Sequence, residues 1–151
     1  ALARGRREQE LVAILYLDLD GFKQVNDTRG HDVGDALLRE AAKRISGCVR
    51  DSDTVARMGG DEFTVILCNG RTQDNVERVA RKIIDVIDSP FLLHGKSCSV
   101  SVSVGISFYP FHGETPDELV KIADAAMYLA KQGGKNCCRV AELKIDHTLD
   151  T

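Results

Sequence analysis

With 151 residues, 43% of them hydrophobic and 28% charged, the chain has the size and balance of one globular domain with a single sizeable core. Its net charge of −3 argues against a broad nucleic-acid or anionic-membrane surface, and its longest apolar run, about seven residues, is far too short to cross a membrane. Five cysteines, at 48, 68, 98, 137 and 138, show no C-x-x-C spacing, which argues against a zinc knuckle or a disulfide framework and for free thiols in a reducing cytosol.

The opening stretch Ala1–Glu8 has no cap or turn residue ahead of it and reads as helix already under way, with Arg4, Arg6 and Arg7 on a solvated face. It carries no secretory signal pattern, and the chain is expected to begin partway into a longer protein. Residues 11–19 predict a buried strand, because LVAILYL is apolar throughout and ends in Asp18-Leu19-Asp20-Gly21. A short helical turn to Asn26-Asp27 and a loop rich in Asn, Asp and Gly come next. A helix over 33–49 follows, with Leu37, Ala41 and Ile45 in register beside Leu38, Ala42 and Val49. Residues 53–58 and 62–68 predict two strands joined through Gly59-Gly60, a two-residue hairpin signal. The helix over 73–88 gathers Val76, Val79, Ala80, Ile83 and Ile87 on one face and stops at Ser89-Pro90.

Strands at 91–93 and 96–109 flank His94-Gly95. In the longer one, Cys98, Val100, Val102, Val104, Ile106 and Phe108 alternate with Ser99, Ser101, Ser103 and Ser107. The period of two makes one face apolar and the other a small-residue face, loosely covered or wetted. Thr115-Pro116-Asp117-Glu118 is a capping box with Pro at the first helical position. The helix it opens points Leu119, Ile122, Ala126 and Leu129 inward and ends at Gly133-Gly134. A last strand near 137–141 and a mobile tail over 142–151 complete the chain. The order predicts a single α+β domain with helices packed on one central sheet.

The acidic residues stand out by position. Asp18 and Asp20 close a strand too apolar to be superficial, and their spacing of two directs both side chains to one sheet face. Asp61 and Glu62 follow a Gly-Gly turn at the head of another strand. If the two strands are neighbours, these carboxylates converge at one sheet edge and suit Mg²⁺ or Mn²⁺, hard ions that prefer oxygen ligands. Turn-capping aspartates are the plainer alternative. Gly21-Phe22-Lys23 offers a phosphate free backbone N–H groups and a point charge, although a lone lysine after a strand is usually only solvated. Gly59-Gly60 supplies the positive φ a hairpin needs, and two missing side chains would also let a nucleotide lie against the backbone.

These residues carry a resemblance. Gly59-Gly60-Asp61-Glu62-Phe63 is the unaltered GGDEF signature. Leu17-Asp18-Leu19-Asp20-Gly21-Phe22-Lys23, Asn26-Asp27, Gly30-His31, Gly34-Asp35, Arg57, Lys131 and Gly134-Lys135-Asn136 fall in the same family's order and spacing. The chain resembles a GGDEF-type diguanylate cyclase domain over residues 10–140. The resemblance implies a mostly antiparallel sheet flanked by helices, of the nucleotidyl cyclase and polymerase-palm (ferredoxin-like) type. It implies Asp18, the Leu19 carbonyl and Asp61 as ligands of Mg²⁺ or Mn²⁺, with Glu62 beside the metal to help deprotonate a 3′-hydroxyl or bind a second ion. Gly21, Phe22 and Lys23 would hold the β- and γ-phosphates of GTP, with Lys131 and Lys135 reaching the same phosphates; Lys23, Asp61 and Glu62 form the catalytic set.

Asn26 and Asp35 would read the base, over a turn opened by Gly59 and Gly60. An ionised carboxylate accepts only, so Asp35 suits the adjacent N1–H and N2–H donors of guanine and repels adenine N1. Without the surrounding motifs Asp35 is simply an exposed residue of a first helical turn. Arginine is commoner where Lys135 stands, so a bidentate grip becomes a point charge and phosphate affinity is expected to weaken.

The implied reaction condenses two GTP into cyclic di-GMP with release of pyrophosphate, and needs two such domains facing each other as a homodimer. The resemblance places it in the cytoplasm, with any membrane tether elsewhere in the parent protein and no nucleic-acid or membrane contact by this domain. Arg50-Asp51-Ser52-Asp53 matches an R-x-x-D inhibitory site five residues before the signature, where Arg50 would clamp the cyclic di-GMP product, Asp53 would accept from guanine and Lys82 would add a basic contact; a helix end with a solvated charge pair is the plainer alternative. The D-x-L-T-G-L-x-N-R segment that usually opens such domains some twenty residues before Leu11, and that helps complete the fold and the nucleotide site, is not in this sequence. A non-catalytic GTP- or cyclic di-GMP-binding regulatory module and a purely structural dimerisation domain are the competing readings. Retention of Asp18, Lys23, Asp61 and Glu62 counts against the first, and the joint presence of Asp18, Asp35 and Asp61 against the second.

Overall fold

Strand β1 (Leu11–Asp20) runs through the middle of the molecule with a hydrogen-bonded neighbour on either side, which is why its sequence is apolar without alternation. The structure is a computed structural model and describes residues 11–142. The helix expected over residues 1–8 and the tail expected beyond Glu142 lie outside the described residues.

Helices α1 (Phe22–Arg29) and α2 (His31–Ser46) follow β1, then strands β2 (Thr54–Gly59) and β3 (Glu62–Arg71) and helix α3 (Gln73–Asp88). Next come strands β4 (Phe91–Leu93), β5 (Lys96–Cys98) and β6 (Ser101–Tyr109), helix α4 (Pro116–Gln132) and strand β7 (Cys138–Val140). Five strands form one sheet in the order β2-β3-β1-β6-β7, antiparallel except for the parallel β6–β7 pair, while β4 and β5 pair separately. The expected α+β class is the one observed.

The pleat of β1 divides the core. Ala13, Leu15, Leu17 and Leu19 face a cluster shared with Leu37 and Ile45 of α2 and Ile83 and Ile87 of α3. Val12, Ile14 and Tyr16 face Leu119, Ala123 and Met127 of α4. Asp18 and Asp20 continue the second row, so the strand itself delivers both carboxylates to the α4 side.

Four local expectations are corrected. The turn after Gly21 is a helix that continues to Arg29, and α2 starts at His31, so Gly30 with φ 95° is the only residue between them. The helix expected over 33–49 ends at Ser46, leaving Val49 beyond it. The strand expected over 96–109 is two, because Lys96–Cys98 pairs back onto β4 and the chain must leave that hairpin at Ser99-Val100 to join the main sheet. Helix α4 buries Leu119, Ala123, Ala126, Met127 and Ala130, whereas Leu129 is 47% exposed and Ile122 half-buried.

That last difference has a cause. The serine row of β6 is not loosely covered: Ser103 and Ser107 are completely buried, and Ser107 Oγ donates to the Leu119 carbonyl at 2.8 Å. A methyl on Gly105 would overlap the Ala123 carbonyl and the Met127 amide. Helix α4 therefore lies directly on the strand backbone at Gly105, with Ala123 and Ala126 at the close approach and Leu119 and Met127 packed beside it against β1. On the other side, Arg44 of α2 donates to the carbonyls of Val86 (2.8 Å), Ser89 (2.8 Å) and Pro90 (2.9 Å) while its guanidinium lies 3.7 Å over the Phe91 ring, which ties the β4–β5 hairpin to α2.

Gly105→Ala forces α4 off the sheet and is expected to cost about 3 kcal/mol or more, the upper range for an overpacked core. Urea unfolding of the variant beside the wild type measures it.

Candidate active site

The β1 and β3 strands bring their acidic ends together by register. Asp18 sits opposite Glu62, and the Leu19 amide donates to the Asp61 carbonyl at 3.1 Å, which pins the Gly59-Gly60 turn against the end of β1. Gly60 has φ 50°, and the Arg57 Nε–H donates to its carbonyl at 3.0 Å, so the turn is held from within. The structure thus places Asp18, Asp61 and Glu62 at one sheet edge, as neighbouring strands would require.

The two aspartates of β1 have opposite fates. Asp20 is buried, and its carboxylate accepts from Ser101 Oγ (2.7 Å), Ser103 Oγ (2.8 Å), Lys131 Nζ (2.9 Å) and the Asn136 amide (3.1 Å). Burial acts against the charge, but those four donors outweigh it and hold the Asp20 carboxyl below the ordinary range. Among the described residues, Asp18 receives only Lys131, at 3.4 Å, and its buried Oδ1 meets no donor. Burial, and then the neighbouring Asp61 carboxylate, push the Asp18 pKa up to about 7, a rise that Lys131 only partly offsets.

Lys131 therefore bridges Asp18 and Asp20 from the last turn of α4, instead of reaching outward alone; these partners raise its own pKa against the effect of burial. Tyr16, two residues before Asp18 on the same face, donates its hydroxyl to Glu62 Oε1 at 2.9 Å, and burial together with that carboxylate moves the phenol to about 12. Sequence reasoning passed over Tyr16, Ser101, Ser103 and Asn136 as site residues. The period of two along β1 and β6 was the available signal for the first three.

Gly21, with φ 87°, opens α1, and the Val25 amide makes the first helical bond to its carbonyl at 3.2 Å. The amides of Phe22 and Lys23 precede that ladder and point out of the helix N-terminus, beside the acidic edge. Asn26 lies over Gly34, where a methyl would collide with its side-chain oxygen, and its Nδ2 lies 3.0 Å from His31 Nδ1. One turn along α2, Asp35 lines a cavity of about 440 Å³ with Leu38, Arg39, Val55, Arg57 and Phe63. Lys135 is exposed just past α4, with φ 64°. Among the described residues, no three His, Cys, Asp or Glu side chains are grouped to hold a metal by themselves.

The family profile for the diguanylate cyclase GGDEF domain matches residues 1–137. The chain belongs to the GGDEF family. Over 136 residues this GGDEF domain is 45% identical to MucR of Pseudomonas aeruginosa, a bifunctional diguanylate cyclase/cyclic di-GMP phosphodiesterase, a match covering 90% of the chain and 20% of MucR. It is 42% identical over 144 residues to the diguanylate cyclase TpbB of the same organism, covering 95% of the chain and 33% of TpbB. A solved structure of TpbB comprising only its GGDEF domain superposes with a TM-score of 0.92 at 41% identity, covering all of this chain (100%) and 88% of that one. The chain spans a third or less of these two curated relatives.

In this GGDEF domain the R-x-x-D segment does not form an open clamp. Asp53 was expected to accept from a guanine, but its side chain is wholly enclosed although its backbone is partly exposed. Oδ1 accepts from the Cys68 amide (3.1 Å); Oδ2 accepts from the Arg50 amide (2.8 Å) and is ion-paired with the buried Arg71. Arg71 also donates to Asn75 Oδ1 at 2.6 Å. Asp53 is thus an internal counter-ion that shapes the Arg50 loop. Arg50 itself is exposed, with one guanidinium nitrogen donating to the Asn69 carbonyl at 3.1 Å. Lys82 lies on the exposed side of α3, near enough to Cys48 for its charge to oppose the rise that burial gives that thiol.

In the metal-free protein the Asp18–Asp61 repulsion is a cost. Because the folded pKa of Asp18 lies above the unfolded value, the native state holds the proton more tightly, and stability falls as pH rises from about 4 towards about 7. Asp18→Asn removes that slope and is expected to be more stable by about 2 kcal/mol at pH 8 in EDTA, roughly half of what the full displacement would give, since water screens the site. Thermal melts across pH for both proteins decide it.

Proposed function

We propose that this domain is a diguanylate cyclase: a nucleotidyltransferase that condenses two GTP into cyclic di-GMP and releases pyrophosphate. The observation that carries the reading is the charge-frustrated pair Asp18–Asp61 at the head of the Gly-Gly hairpin, with one buried carboxylate oxygen lacking a donor. Such a pair fits a Mg²⁺ or Mn²⁺ ion, which takes one or two carboxylates and completes its shell with backbone oxygen, water and substrate phosphates. Asp18, Asp61 and the Leu19 carbonyl would hold it, with Glu62 alongside. When bound, the ion supplies positive charge at the reacting phosphoryl oxygens and acidifies the attacking hydroxyl.

The chain's own residues do the rest. The amides at the start of α1 and the ammonium of Lys23 receive the β- and γ-phosphates, with Lys135 entering from the turn after α4. Lys131 stays with Asp18 and Asp20 and keeps the acidic edge in place. Asp35 accepts from the guanine edge at the mouth of its cavity, with Asn26 beside it and Gly59-Gly60 leaving the hairpin flank bare. Glu62, oriented by Tyr16, takes the proton from the 3′-oxygen as it attacks the α-phosphorus of the other GTP. One domain presents one GTP, so two domains must meet face to face, and the reaction proceeds where GTP is found, in the cytoplasm. Among the described residues no helix is long and apolar enough to cross a membrane.

Incubating the full-length protein that carries this domain with GTP and Mg²⁺, and separating the products by chromatography, tests the reading. Cyclic di-GMP with pyrophosphate supports it; GTP binding without turnover favours a regulatory module, which the name of the relative NbdA of P. aeruginosa, a cyclic di-GMP phosphodiesterase 41% identical over 126 residues, keeps in view. Glu62→Gln is expected to lower kcat by about 100-fold or more while leaving GTP affinity close to the wild type.

Product inhibition, in this reading, acts through the exposed guanidinium of Arg50 with Lys82 nearby, and Asp53 contributes by holding the loop. Arg50→Ala is expected to abolish tight cyclic di-GMP binding in calorimetry; equal affinity in both proteins rejects the inhibitory site.

A further inference from the structure

A second concavity runs along α2, beside the cavity that Asp35 lines. It consists of two adjoining spaces of about 780 and 300 Å³ that share Leu93 and His94 and lie between α2 and the β4–β5 hairpin. Its floor is apolar, made by Val33, Ala36 and Leu93, and Leu92 projects from the rim with 76% exposure. Four exposed cations border it: Arg29, Arg39, Lys43 and Lys96. The one carboxylate in the lining, Glu40, is already paired with Arg44 at 3.4 Å.

We propose that this groove binds an acidic amphipathic segment of a partner polypeptide, which sets its carboxylates on the four cations and its apolar side chains over Val33, Ala36 and Leu93. Charge is the first argument. A chain of net charge −3 concentrates around one apolar strip four cations that form no ion pair among the described residues, an arrangement complementary to an acidic, one-sided apolar segment. Rigidity is the second. The three carbonyl bonds and the ring contact of Arg44 fix both walls before any partner arrives, so little ordering cost remains on this side. Size is the third: from Val33 to Lys43 α2 rises about 15 Å, the length of roughly three turns of a docked helix.

Other anionic partners fit less well. Among the described residues no Phe, Tyr or Trp lines the groove and its one ring is the exposed His94, so single-stranded nucleic acid finds no row of stacking platforms for successive bases. A flat lipid surface meets the rim and cannot reach the recessed apolar floor. Arg39 lines both this groove and the cavity of Asp35, which puts the partner side by side with the nucleotide.

The test uses a fluorescein-labelled, amidated peptide of about twelve residues with Leu at helical i, i+3, i+4 spacing and Glu elsewhere, and its counterpart with Lys for Glu. Fluorescence anisotropy is expected to show micromolar binding of the Glu peptide to the wild type. Binding weakens about tenfold or more in the double variant Lys43→Glu, Lys96→Glu and at higher salt, and the Lys peptide does not bind. An unchanged melting temperature for the double variant, whose substitutions are both exposed, shows that the fold is intact. Absent binding, equal affinity for variant and wild type, or equal binding of the Lys peptide overturns the proposal. So does preferential binding, through the same two lysines, of phosphatidylserine vesicles or a single-stranded oligonucleotide. None of these outcomes depends on whether the domain turns over GTP.

Discussion

One ammonium group organises the acidic end of the sheet. Lys131 reaches from the last turn of α4 to Asp20 at 2.9 Å and Asp18 at 3.4 Å, and so joins the helix on one face to the strand at the centre. Burying two carboxylates two residues apart is expensive unless each finds donors. The chain resolves this unequally: Asp20 receives four donors and becomes part of the framework, while Asp18 receives one and faces Asp61. The local cost falls on the carboxylate that the proposed chemistry needs to be available, an arrangement seen where stability is given up for function.

Much of this could be read from the chain because it followed from period and register. An unbroken apolar strand had to be central, a spacing of two had to put Asp18 and Asp20 on one face, and a Gly-Gly turn had to return β3 beside a neighbour. What escaped was decided by contacts remote in sequence. Tyr16 meets Glu62 across 46 positions and Asp53 meets Arg71 across 18, and neither pairing leaves a local trace. For the same reason an R-x-x-D pattern read as an open clamp is half internal: the motif shows the residue types, while the arginine that encloses Asp53 lies at the far end of β3.

The misreading of α4 has a different origin. Hydrophobic spacing nominates Leu119, Ile122, Ala126 and Leu129 as the buried face, and of these Leu119 and Ala126 are buried while Ile122 and Leu129 are not. The helix turns Ala123, Ala126 and Ala130 inward beside Leu119 and Met127, because Gly105 and the serines of β6 let the two backbones approach closely at the middle of the helix. Size complementarity overrode hydrophobicity, and it did so through residues on the opposing strand. The split between β5 and β6 is similar in kind, since alternation continues through Ser99-Val100 while hydrogen-bond partnership changes sheets.

Close seating also has a mechanical consequence. With Gly105 under its middle, a capping box at its start and Lys131 anchored at its finish, α4 is held to the strands along its length. It acts as a stiff rod across the face of the sheet. Its start at Thr115 and the acidic pair are thus the two ends of one packed element, joined through Lys131.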